Sequence, residues 1–89
     1  MADDPSEEFD VEALQEQLAS FSVEQFLISA ASTIASLAYA KLERDDLEQA
    51  RKAIDALAAL VPQLEGELAD DLALALTRLQ LAYADAADR

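Results

Sequence analysis

Apolar positions recur at helical spacing along almost the whole chain, in four stretches. In the first, Val11, Leu14, Leu18 and Phe21 follow one another at three- and four-residue intervals, a stripe two to three turns long. A helix that short is marginal alone, so it forms only where the body of the domain or another chain receives its stripe. The next stretch opens at Ser22, a residue placed to cap, with Gln25 completing a capping box, and predicts a helix over about 23–42. Two apolar seams run side by side along it. Val23, Leu27, Ala30, Ile34 and Leu37 form one, and Ile28, Ala31, Ala35, Ala38 and Leu42 the other. Gln25, Ser29, Ser32, Ser36 and Tyr39 make a third line, mostly of small hydroxyls that can bond back to their own helix. A helix apolar over most of its circumference is expected to be buried over most of it.

The turn Glu43-Arg44-Asp45-Asp46 supplies two aspartates, either of which can cap a second body helix over about 46–61, stopped by Pro62. Its stripe is Leu47, Ala50, Ile54, Leu57 and Val61. Glu48–Lys52 and Arg51–Asp55 lie four apart on a solvated outer face. Pro62 to Gly66 make the next connection. A third body helix over about 67–85 follows, with Glu67, Asp70 and Asp71 where the helix dipole favours acids. Leu68, Leu72, Ala75, Leu76, Leu79 and Tyr83 share one arc of this helix and form the expected core face. Leu74 and Leu81, one heptad apart, point the other way and suggest a second contact surface. The fold class expected is all-α: a three-helix antiparallel bundle spanning 22–86, preceded by a short amphipathic helix over 11–20 and completed by oligomerisation.

Charge changes the picture at the N-terminus. Nineteen acids face six bases, for a formal charge of −13, and between Met1 and Ala40 there are eight acids and no base. Residues 1–10 read as an acidic, solvated, mobile tail. The acidity argues against direct binding of nucleic acid or an anionic membrane. The uncharged run from Phe26 to Ala40 is fifteen residues, short of the roughly 18–20 that span a bilayer. With no basic segment at the start, no secretory signal is expected and a cytoplasmic location is.

Chemistry is narrowed further by what the composition lacks. Without cysteine or histidine there is no disulfide, no thiol nucleophile and no imidazole base, and the commonest metal ligands are missing. A single glycine, Gly66, cannot build a phosphate-cradling loop. The pairs Asp45/Asp46 and Asp70/Asp71 are adjacent in sequence, so on a helix their carboxylates diverge rather than form a dyad. Tyr39 and Tyr83 are expected to set their rings in the core and their hydroxyls in solvent. No enzyme, no cofactor and no metal is expected. A short chain with many alanines and few bulky residues gains little from burial. A homo-oligomer is therefore expected, its interface drawn from Phe26, Ile28, Ala31, Ala35, Leu42, Leu74 and Leu81. The stripe Val11, Leu14, Leu18 and Phe21 is a candidate docking segment for a basic protein partner, such as a component of the translation or transcription machinery.

Three segments carry a family resemblance: Glu24-Gln25-Phe26-Leu27-Ile28-Ser29-Ala30-Ala31-Ser32, the run from Asp46-Leu47-Glu48-Gln49-Ala50-Arg51 through Leu57, and the leucine-rich last helix ending near Tyr83. Together, from Val23 to Ala84, they resemble a family of small bacterial helical proteins, the domain of unknown function numbered eighteen-forty-four. Gly66 sits where that family has a glycine-marked turn. The chain departs in its short connection Glu43–Asp46 and in lacking a Glu-Lys-Thr-x-Gly stretch before the turn. The resemblance implies an all-α fold and no assigned activity.

Overall fold

The computed structural model describes residues 10–89. The expected tail lies outside the described residues except for Asp10, whose carboxylate accepts from the N–H groups of Glu12 and Ala13 and caps α1, Val11–Ser20. α2, Val23–Glu43, α3, Leu47–Leu60, and α4, Glu67–Ala87, follow, and no strand occurs among the described residues. The fold is all-α.

Each junction has a local cause. Phe21 and Ser22 are extended, and the Ser22 hydroxyl oxygen accepts from Gln25 N–H, so α2 starts afresh at an angle of 86° to α1. At the far end of α2 the N–H of Asp46 donates to Lys41 O and that of Asp45 to Leu42 O. Those two bonds are a Schellman closure, and Asp45, at φ 61°, occupies the left-handed position that glycine usually takes. That settles which aspartate caps α3: Asp46, whose carboxylate accepts from Gln49 N–H and also lies 3.8 Å from the Lys41 ammonium.

Pro62 does not stop α3 by bending Val61 out of the helical region. Val61 keeps φ −53° and ψ −43°, and the chain tightens into a 3₁₀ turn, Val61–Gln63, that tolerates a proline near its start. Leu64 then turns extended and inserts into the core. The N–H of Glu65 donates to Glu24 Oε2 at 2.9 Å, which ties the connection before α4 to the first turn of α2. The starts of α2 and α4 therefore lie at the same end of the bundle, with α3 running between them in the opposite sense.

α2, α3 and α4 all touch one another and enclose one core, to which no described residue before Leu27 contributes. Of its two candidate seams, α2 turns Ala31, Ala35 and Ala38 inward, while Leu27, Ile28, Ile34 and Leu42 pack at the margin. α3 adds Ala50, Ala53, Ile54 and Leu57, and α4 adds Ala69, Leu72, Leu79 and Ala86. The radius of gyration is 17.9 Å, against about 12 Å for a compact domain of this length. Its extents of 59 × 33 × 15 Å describe an elongated, flat molecule.

Candidate functional site

Alanines are the majority of the buried apolar residues described, and many large apolar side chains stand outside. Of twelve buried apolar residues among those described, seven are alanines, and only Leu57 and Leu79 among the larger side chains are fully enclosed. Among the described residues ten large apolar ones are exposed, including the phenylalanines Phe21 and Phe26. Helices meeting through alanine approach closely, but each buried methyl removes little area from water.

Apart from Tyr39, which stands alone on another side of α2, the exposed residues fall into two groups. The larger follows α1 and the outer face of α2. On α2, Val23, Phe26, Ala30, Thr33, Leu37 and Ala40 succeed one another at alternating three- and four-residue intervals, the a/d spacing of a coiled-coil seam. Val23 is 71% exposed and Phe26 65%. The one polar member, Thr33, donates its hydroxyl to Ser29 O at 3.0 Å, so covering the seam orphans no hydroxyl. On α1 no residue is buried, and Val11, Leu18 and Phe21 are exposed along the same three-four spacing. Where the two helices meet, Leu18, Phe21, Val23 and Phe26 line one apolar hollow. Leu68, also exposed, lies at this end of the bundle. The carboxylates of α1, Glu12 and Glu16, face away from its stripe and border a separate, polar surface with Gln15 and Ala19.

The smaller group is the outer face of α4, with Leu74 and Leu81 exposed on either side of Thr77. Thr77 likewise bonds within its own helix, to Ala73 O. Two leucines offer about 200 Å² per chain, and a symmetric pair of such faces stays below the roughly 800 Å² common for mere crystal contacts. This face cannot hold two chains together unaided.

The interface expected from sequence is thus divided. Ala31 and Ala35 lie inside the monomer core, and Ile28 and Leu42 pack against it, so these four serve the fold of one chain. Ala31 and Ala35 are corrected from interface to core because α3 and α4 cover them, while Ile28 and Leu42 stay partly exposed at its margin. Phe26, Leu74 and Leu81 are exposed, as are Val11, Leu18 and Phe21 of the docking stripe, with Leu14 half-buried. Leu68 and Tyr39, expected in the core, are exposed, whereas Tyr83 does pack against it. Val23 and Leu37 belong to the outer seam, although this helix is expected from its pattern to be buried over most of its circumference. The 3-4-3-4 run from Val23 to Ala40 was there in the sequence as the signal that could have identified it.

Among the described residues no group of acids could hold a metal ion. Asp45 and Asp46 are engaged in the turn, and Asp70 and Asp71 stand exposed in the first turns of α4. No single described helix is long and apolar enough to cross a membrane; α1 and α2 reach that measure only together, across their 86° bend. The likeness to the family of small bacterial helical proteins rests on the segments quoted for it. No family model, no curated protein and no solved structure matches the chain.

Proposed function

We propose that this protein is a non-enzymatic helical module that associates with itself through the apolar faces its own fold leaves uncovered. The observation that carries this reading is the inversion of burial: alanines inside, Phe21, Phe26, Leu18 and Leu37 outside. An uncovered apolar face of this extent on a small chain marks an interaction surface. Its seam spacing and lack of charge suit another helix rather than a small polar ligand. Sedimentation equilibrium tests it directly. The expected result is a mass of two or more chains at micromolar concentration; a stable folded monomer there overturns the proposal.

One observation favours a second reading. α1 presents an exposed apolar stripe backed by Glu12 and Glu16, with no base of its own. Such a segment suits an apolar groove with a basic rim on a different protein. The two readings differ in how binding responds to salt, because like-charged copies repel one another while a basic partner attracts.

A further inference from the structure

We infer that two copies pair by exchanging arms: α1 of each lies along the outer seam of α2 of the other. This rests on the self-association proposed above and specifies which surfaces meet.

The first ground is geometry within one chain. α1 leaves α2 at 86°, and the elbow is held by extended backbone at Phe21 and Ser22 and by the Ser22 cap on Gln25 N–H. Lying along its own α2 would require the backbone at Phe21 and Ser22 to leave the extended conformation that sets the bend. The arm is therefore denied its own seam and projects where the seam of a second copy can meet it.

The second ground is the match of pattern. The arm repeats at three-four-three and the seam at three-four-three-four, so knobs from one find holes on the other. The arm stripe rises about 15 Å and the seam from Val23 to Leu37 about 21 Å, so the arm fits within the seam. Phe26 to Ala40 carry no charge and Glu12 and Glu16 face away, while the exposed Lys52 of α3 borders the seam beside Leu37, where its long side chain can keep the ammonium in water.

The third ground is area. The exposed parts of Val11, Leu18, Phe21, Val23, Phe26 and Leu37 amount to about 600–700 Å² per chain, which in a symmetric pair falls within the range of stable interfaces, about 1,200–2,000 Å². Neither the arm nor the seam alone reaches that figure.

A crosslinking experiment on the full chain tests the exchange. A photoreactive diazirine analogue is placed at Leu18, and equal amounts of ¹⁴N- and ¹⁵N-labelled protein are mixed before illumination. The expected product joins residue 18 of one isotope to a peptide within residues 23–40 of the other. In parallel, Leu18→Glu and Phe26→Glu should each weaken association by about 100-fold or more, as removal of a central anchor does, while Leu74→Glu leaves it nearly unchanged. Both substituted positions are exposed, and far-UV circular dichroism verifies that α2 to α4 stay folded. Same-isotope crosslinks to Val23 and Phe26 are expected in every case, since Leu18 shares a hollow with them in one chain; same-isotope crosslinks with none between isotopes would mean that the arm meets only its own α2. Crosslinks between chains that land on α4 or on the other arm would mean that the copies meet elsewhere. Either of these last two results, or an absence of crosslinks, overturns arm exchange. A dimeric mass beside any of them leaves self-association standing, and a monomeric mass removes both.

Discussion

Gly66 and Asp45 hold the two turns of the bundle in backbone conformations with positive φ, and a glycine exchange should act on them with opposite sign. Gly66 sits at φ 94° and ψ −173°, a region that is nearly glycine's alone, and a Cβ placed there would meet nothing within 4 Å. The cost of Gly66→Ala is then backbone strain with no clash to confuse it, about 1–3 kcal/mol. Asp45 occupies the left-handed position of the Schellman closure at φ 61° with a side chain that pays for the geometry. Asp45→Gly relieves that strain against some added freedom in the unfolded chain, so a gain of about 0.5–1 kcal/mol is expected. Urea midpoints at unchanged slope measure both. A stabilising Gly66→Ala, or a destabilising Asp45→Gly, would show that these turns are not set by the backbone as described.

Helix existence was legible because it rests on signals near in sequence: the Ser22 cap, the Asp-Asp turn, and the acids that open α4. The facing of α2 was not. Its two apolar seams are adjacent, so either could meet a neighbour, and only the positions of α3 and α4 turn Ala31, Ala35 and Ala38 inward. Leu68 shares the core arc of α4 but lies in its first turn, at the bundle end. Leu64 carries no helical period, because it enters the core from an extended connection. α1 is legible as a stripe, yet no described residue of the chain buries it. A helix shorter than about 12–15 residues is marginal in water, and α1 has ten residues, none of them buried. Its helicity should therefore depend on association. Backbone ¹³Cα shifts of Val11–Ser20 should be helical in concentrated solution. They should move toward coil values on dilution, or in Phe26→Glu, while those of α3 stay fixed. Helical shifts that survive dilution to monomer would mean that α1 needs no partner.

At the scale of the whole molecule, apolar area and charge oppose one another. Each chain carries −13, and bringing two together brings like charge together. The acids are concentrated near the N-terminus, where Asp3, Asp4, Glu7, Glu8, Asp10, Glu12 and Glu16 precede residue 20, while the seam from Phe26 to Ala40 has none. Repulsion in an arm-exchanged pair is therefore carried around the interface rather than within it. Charges at that range interact through solvent and are screened over about 30 Å at 0.01 M salt but only about 3 Å at 1 M. The apolar contribution is not weakened by salt, and sulfate strengthens it. Self-association should then tighten steadily as salt rises, by about tenfold or more between 0.02 and 0.5 M, the factor expected from removing roughly 1.4 kcal/mol of repulsion. Sedimentation velocity across a salt series measures this. A basic partner gives the opposite slope, since its attraction to Glu12, Glu16 and the acids before them is what salt screens. Self-association that loosens with salt would mean that attraction between charges holds the copies together, and would overturn apolar pairing through the outer seam of α2.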